Sequence, residues 1–161
     1  MSENNWTYNG ALFEEPDPEH YGFVYLITNT QTGKMYIGKK VFWFKKTRQV
    51  NKKKKKFLAP SDWKEYYGSS PALNKDVDQF GKEIFKREII HLCANKGLAS
   101  YYEALEQFQR QVLFNPEMYY NDWIILRVHR KHVLNETAKR NPVQSSDSTS
   151  NTVAKTRRRQ N

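Results

Sequence analysis

GFVYLITNTQTGKMYIG, residues 22–38, has the composition of a β-hairpin. Its first eight residues, Gly22–Asn29, are short, apolar and β-branched, which is strand composition. Thr30–Gly33 (TQTG) carries turn chemistry, with Gly33 free to adopt the positive φ that a tight reversal requires. Lys34–Gly38 (KMYIG) then reads as the returning strand. Side chains alternate along a strand and pair across a hairpin, so Tyr25 and Tyr36 can point to the same face. In an arbitrary hairpin two such rings would simply be core aromatics.

Working outward, Met1 to His20 is polar and acidic, with Pro16 and Pro18 as breakers. It reads as an irregular lead-in and not as a secretory signal. Lys39 to Asp62 contains the apolar VFWF, but NKKKKKFLAPSD has no periodicity, so this segment is expected to be a basic arm or long loop, partly ordered at best. Ala72 to Phe80 predicts a helix with Ser70 as N-cap, Pro71 at the first position and Gly81 after the end. Leu73, Val77 and Phe80 fall on one face of it. Ile84 to Cys93 reads as a third strand. Ser100 to Phe114 reads as a second helix, with Ser100 and Glu103 matching a capping box. Tyr101, Ala104, Leu105, Phe108 and Val112 form its apolar stripe, and Asn115-Pro116 ends it. Tyr119 to Val128 is apolar enough to pack against the domain. From Thr137 onward Ser, Thr, Asn and Arg dominate, and such a segment cannot bury enough apolar surface to order itself. The expected class is α/β (α+β): a small three-stranded antiparallel sheet flanked by helices over residues 21–136, with the arm at 39–62, a lead-in at 1–20 and a disordered basic tail at 137–161.

The chain has 161 residues, 38% of them hydrophobic and 14% aromatic, which suits one compact domain whose core rests largely on rings. No apolar run approaches the ~20 residues that span a bilayer, so no membrane association is expected. Cys93 stands alone, which excludes a disulfide framework or a cysteine zinc site within one chain and makes a reducing cytoplasm the default compartment. The net charge is +10, and it is segregated. Ten Lys or Arg residues and no acid lie between Lys39 and Lys56, and residues 137–161 carry six basic residues against Asp147 alone. Two positive blocks point to a polyanion, most commonly nucleic acid; solvated lysines with no ligand are the plainer alternative. His129 and His132 have i, i+3 spacing but lack a third metal ligand, and His91 reads as a packed or edge histidine.

Within this frame, FVYLITNTQTGKMYIG resembles the signature of the GIY-YIG nuclease family. Phe23-Val24-Tyr25 stands for the first triplet, departing from it at two of three positions, and Tyr36-Ile37-Gly38 is an intact second triplet, eleven positions on from Tyr25 to Tyr36. DWKEYYGSS, FKREIIHLC, EALEQF and YYNDWI extend the resemblance, over roughly residues 22–132, toward the phage-encoded Seg-like homing branch. The resemblance implies a metal-dependent endonuclease that uses Mg²⁺ or Mn²⁺ on double-stranded DNA, acting as a monomer or transient dimer in a host-cell cytoplasm. It also implies that Tyr25 activates water and that Tyr36 positions it. Lys39, Lys40 and Arg48 are the positive neighbours available to ease tyrosine ionisation.

Of the two helix glutamates, Glu103 has the capping role, whereas Glu106 has no local partner and lies beside Tyr102 and Gln109. Glu106-Gln107-Phe108 resembles the family's metal-binding glutamate, and Asn121, fifteen positions on, resembles its asparagine. One carboxylate suffices for Mg²⁺, which keeps much of its water. Arg48 is the candidate for the family's phosphate-contacting arginine, although Lys46 occupies the homing-enzyme spacing. Where those enzymes have a histidine, Tyr66–Ser70 has none, and Tyr67 is the available substitute. Gly38 is expected to permit close backbone packing. Lys39, Lys40, Lys46, Lys52, Lys53, Lys54, Lys55, Lys56, Arg127, Arg130, Arg157, Arg158 and Arg159 are expected on DNA phosphates, which give affinity without sequence information. With no separate reader domain evident, specificity is expected to be low, or set by the domain and its basic arm. The competing readings are a non-catalytic nucleic-acid-binding protein on the same scaffold, an enzyme acting on RNA, and a repair or restriction nuclease.

Overall fold

The computed structural model describes residues 4–134. Along them run β1 (Trp6–Tyr8), β2 (Ala11–Leu12), β3 (Gly22–Asn29), β4 (Met35–Val41), β5 (Trp43–Val50), β6 (Lys53–Pro60), α1 (Pro71–Phe80), β7 (Phe85–Cys93) and α2 (Lys96–Gln109). The hairpin β3–β4 forms as its composition dictates. Gly33 takes φ 75°, and the Asn29 side-chain oxygen accepts from the backbone of Gln31 and Thr32 to close the turn.

The sheet is larger than expected. Its order is β2-β1-β7-β3-β4, five strands, with β1 parallel to β7 and the other pairings antiparallel. The three expected strands form its core, and the supposed irregular lead-in supplies the two additional ones. Trp6 is the reason. Its side chain is fully buried, its indole N–H donates to the Trp63 carbonyl at 2.8 Å, and its ring meets Phe23 and Tyr25 edge-on. A three-residue strand is too short for any alternation to show, so only the burial of its tryptophan reveals it.

The two sheet faces are covered differently. Phe23, Tyr25 and Ile27 pack with Trp6, Phe42, Trp63, Leu73 and Val77 on one side, and Val24 and Ile37 pack with Leu98, Ala99 and Val112 on the other. α1 begins as anticipated, with Ser70 Oγ accepting from Leu73 N and Pro71 at the first turn, and Gly81 closes it at φ 88°. Leu73 and Val77 are buried, while Phe80 is nearly half exposed.

α2 departs from expectation in its phase. Asn95 is the N-cap, its side chain accepting from Leu98 N at 2.9 Å, so the helix is capped five residues earlier than the Ser100 pattern implies. Ser100 is buried inside the helix, and no capping box forms there. The buried face is Leu98, Ala99, Ala104 and Gln107, whereas Tyr101 and Phe108 of the expected stripe turn to solvent. Helix α2 stops at Gln109, and Val112–Phe114 continues as a 3₁₀ turn.

The basic arm is ordered. β5 and β6 pair over eight residues each as a separate two-stranded ribbon, joined by Asn51 and Lys52 at φ 50° and 61°, the double positive φ of a type I′ turn. Lysines occupy both faces of β6, which erases the polar–apolar alternation by which a strand is ordinarily recognised. The segment after α2 lays Tyr119, Tyr120 and Asn121 into the domain and leaves Trp123, Ile125 and Leu126 exposed. Among the described residues, no helix is long and apolar enough to cross a membrane. Residues 137–161, including Arg157, Arg158 and Arg159, lie outside the described residues.

Candidate active site

β4 is an edge strand of the five-stranded sheet, and its outer edge is sealed by side chains as well as backbone. Met35 pairs with Tyr119 in a parallel bridge. One turn further along, Asn121 takes over: its Oδ1 accepts from Ile37 N at 3.0 Å and its Nδ2 donates to Ile37 O at 2.8 Å. Gln107 of α2 donates to the same carbonyl at 3.1 Å. Two amide side chains thus satisfy a backbone position that would otherwise be an unpaired sheet edge. They bring β4, α2 and the 119–125 segment together around an open cleft of about 590 Å³. Tyr36 and Lys39 line it from β4, Ser69 and Ser70 from the start of α1, Glu103 and Gln107 from α2, and Asn121, Asp122 and Trp123 from the C-terminal segment.

Tyr25 and Tyr36 do share a face, because Tyr25 lies opposite Gly38 and Ile27 opposite Tyr36 in the register. Their rings are 6.1 Å apart and tilted. Their situations differ sharply. Tyr36 reaches the cleft, with its hydroxyl 3.1 Å from Ser69 Oγ. Burial pushes its pKa up, partly offset by the Ser69 hydrogen bond, so it is a neutral hydroxyl near pH 7. Tyr25 is 1% exposed, packed among Trp6, Phe23, Tyr36 and Tyr66, and is absent from the cleft lining. Burial, then the neighbouring Tyr36 and Tyr66, pushes its hydroxyl well above the ordinary tyrosine range. The cations expected to ease its ionisation do not act on it: Lys39 pairs with Glu103, Lys40 pairs with Asp62, and Arg48 stacks on Phe57.

Gly38 makes this arrangement possible. A Cβ there would overlap the Tyr25 hydroxyl, lying 2.7 Å from its Cζ atom and 2.9 Å from Tyr36 Cε1. Gly38→Ala is therefore expected to displace both rings together, lowering stability by about 1–3 kcal/mol, the usual cost of overpacking, and depressing cleft function more than the stability loss alone would. Urea melts measured beside an activity assay on the folded fraction check this.

Of the two helix glutamates, Glu103 lines the cleft and Glu106 does not. With Asn95 as cap, Glu103 has no capping duty and points across α2 to β4, where it pairs with the Lys39 ammonium. Burial raises its pKa and outweighs the lowering by Lys39. Glu106 lies outside the cleft lining. Its Oε1 accepts from His91 Nε2 at 2.7 Å, its Oε2 from Arg110 Nε at 3.2 Å, and His91 stacks on Tyr102. Burial works to raise the Glu106 pKa, but the His91 and Arg110 hydrogen bonds prevail and hold it below the usual range. Both Glu106 oxygens are thus committed to local partners. The signal that could have separated the two glutamates was Asn95, a better-placed N-cap than Ser100.

The remaining expectations divide. Asn121 is at the cleft, buried and fastening β4. Tyr67 is not: it is largely buried beneath the Arg87 guanidinium, 4.1 Å from its ring centroid, and the hydroxyl beside Tyr36 comes from Ser69 instead. Arg48 and Lys46 sit on the exposed ribbon and do not line the cleft. Lys40, expected on DNA, is turned inward to Asp62 at 2.6 Å and over the Tyr66 ring at 3.8 Å. Lys52, Lys53, Lys54, Lys55 and Lys56 are exposed on the ribbon and its turn, and Arg127 and Arg130 are exposed beyond the cleft. Sequence reasoning missed Arg87. It is 1% exposed, donates to Asn5 Oδ1 and to the carbonyls of Lys64 and Tyr66, and has its pKa lowered by burial to about 10. It fastens the loop that carries Tyr66 against Tyr25.

Among the described residues no group of three or more His, Cys, Asp or Glu side chains is placed to hold a metal. The donor set fits a hard, hydrated cation held at a single carboxylate: Glu103 lines the cleft, and Asp122 and the hydroxyls of Tyr36 and Ser69 stand on its walls.

A small α+β domain with a tyrosine, a carboxylate and a cation facing one open cleft beside a sheet edge has the parts that phosphodiester chemistry needs. Residues 6–124 match the family model described as "Putative endonuclease segE, GIY-YIG domain", and the chain belongs to the GIY-YIG endonuclease family, in its Seg-like branch. No curated protein and no solved structure matches it.

Proposed function

We propose that this chain is a phosphodiester hydrolase acting on double-stranded DNA with Mg²⁺ or Mn²⁺ anchored at Glu103, and that it serves as a phage-encoded, homing-like nuclease. The observation that carries this reading is the meeting of Tyr36, Lys39, Glu103 and Asn121 at one cleft. Hydrolysis adds water to phosphorus and breaks the bond to the leaving sugar oxygen. The proton lost by the water balances the one gained by the leaving oxygen. Catalysis then consists mostly of positioning and of stabilising the developing charge.

Each residue has a part in that scheme. The Tyr36 hydroxyl, held by Ser69 and kept neutral by burial, donates or accepts a hydrogen bond to orient the attacking water. Tyr25 acts as a positioning residue that supports the Tyr36 ring from within, because its own hydroxyl is buried and hard to ionise. Lys39 offers a cation to a phosphate oxygen entering the cleft. Glu103 would hold the metal, which when bound supplies Lewis-acid stabilisation and lowers the pKa of its water. Asn121 and Gln107 act through Ile37, keeping the edge strand in register with the cleft.

Purified protein is expected to nick or cut plasmid DNA with Mg²⁺ or Mn²⁺ and to stop when a chelator is added. Agarose-gel conversion of supercoiled to relaxed and linear forms is the measurement. One observation favours a second reading, a non-catalytic DNA-binding protein: the Lys39–Glu103 pair already neutralises the one glutamate that lines the cleft among the described residues. DNA binding with no conversion in any divalent metal would select that reading.

A further inference from the structure

The β5–β6 ribbon takes no part in the cleft, yet it holds the densest charge of the domain. Eight cations lie between Lys45 and Lys56, and no acid occurs from Lys39 to Ser61. All eight are exposed, and none forms an ion pair among the described residues. Directly opposed residues share a face, so the register sorts the ribbon. One face carries Phe44, Lys46 opposite Phe57, Arg48 opposite Lys55, and Val50 opposite Lys53. The other carries Lys45 opposite Leu58, Thr47 opposite Lys56, and Gln49 opposite Lys54. On the first face the Arg48 guanidinium lies 5.4 Å from the Phe57 ring centroid.

An isolated two-stranded hairpin is marginal in water, and like charges set opposite one another, as at Arg48 and Lys55, weaken it further. Lysines along an exposed strand do discourage edge-to-edge aggregation. That role accounts for the charge but not for the rings: Phe44 and Phe57 remain 39% and 37% exposed on the same face as the arginine. A face that mixes cations with accessible rings suits a polyanion that also presents apolar groups and hydrogen-bond acceptors. Base edges in a DNA groove do both.

We propose that the β5–β6 ribbon inserts into the major groove of double-stranded DNA with its Lys46–Phe57–Arg48–Lys55 face toward the base edges, resting for its substrate on the nuclease reading above. The dimensions agree. Eight residues extend roughly 27 Å at ~3.4 Å each, with strands ~4.8 Å apart, and the B-form major groove, ~12 Å wide, admits a two-stranded ribbon. The A-form RNA major groove is too deep and narrow for one. Lysines on the second face and in the turn are then free to meet the flanking phosphates.

Fluorescence anisotropy of the full chain on a labelled DNA duplex, in chelator so that nothing is cut, tests this. Methyl green, which fills the major groove, is expected to weaken binding about tenfold or more, while netropsin in the minor groove leaves it unchanged. Arg48→Ala with Phe57→Ala is expected to lose affinity about tenfold, the scale of a base-edge contact. Competition by netropsin, competition by neither ligand, equal binding to an RNA duplex, or full affinity in the double variant would each overturn the proposal. The competition arm needs no variant to fold. Because no turnover is measured, a protein that never cuts DNA can still pass this test, and one that cuts can still fail it.

Discussion

Glu103→Ala is expected to lower DNA cleavage by on the order of 10²–10³, the cost of removing a group that acts on transition-state charge, while Glu106→Ala retains most of the wild-type rate. The two residues lie on the same helix three positions apart, and composition does not distinguish them. Their surroundings do. The Glu103 carboxylate faces the cleft and its nearest cation is Lys39 on the edge strand. The Glu106 carboxylate is enclosed by His91 and Arg110, where it serves the packing of α2 on β7. Glu106→Ala should therefore appear mainly as a stability loss of about 1 kcal/mol, as for a partly exposed ion pair, measurable by urea titration. Plasmid cleavage by both variants under saturating metal decides the matter. A Glu103→Ala protein that cuts normally removes the metal anchor from the cleft, and a Glu106→Ala protein that is folded but inactive moves it along the helix. Glu103→Gln sharpens the comparison, because it keeps the shape and a hydrogen bond to the cleft while discarding the charge.

Arg87→Ala is expected to destabilise the domain by about 3–5 kcal/mol, in the range set by losing several hydrogen bonds from one buried charge. Against a typical total of 5–15 kcal/mol, that is enough to leave much of the protein unfolded under mild denaturant. The guanidinium joins two separate pieces of chain to β7: Asn5 and the Trp6 ring at the start of β1, and the Lys64 and Tyr66 carbonyls with the Tyr67 ring in the following loop. Arg87→Lys should recover only part of the loss, since an ammonium lacks the planar fork that reaches several acceptors at once. Far-UV circular dichroism of both variants in a denaturant series measures the loss. A small effect from Arg87→Ala would mean that the 63–67 loop holds its place without it, and Tyr66 would then owe its position against Tyr25 to ring packing alone.

Arg87 also shows why part of the site was hidden. Within FKREIIHLC it is one charged residue in a half-buried strand, and nothing local marks it as the deepest cation in the fold. Its acceptors lie 21, 23 and 82 residues away in the chain. The same distance problem concealed β1, whose three residues become a strand only because β7 offers a free edge and the core offers a slot for Trp6. In the arm, the difficulty was of another kind. A ribbon that carries lysines on both faces has no polar–apolar alternation to detect, so its order shows only in the cross-strand register and in the Asn51-Lys52 turn.

Much of the short-range geometry was legible along the chain: the hairpin with Gly33 at its turn, the Ser70–Pro71 start and Gly81 end of α1, the third strand, and the placing of Tyr25 and Tyr36 on one face with a glycine beside them. These depend on φ preferences, caps and strand alternation within a few residues. Which tyrosine meets the cleft, which glutamate faces it, and where Arg48 and Arg87 end up were set by long-range packing. Those outcomes depend on the phase of a helix against a sheet, on burial that sets each group's charge, and on partners brought together by packing from opposite ends of the chain.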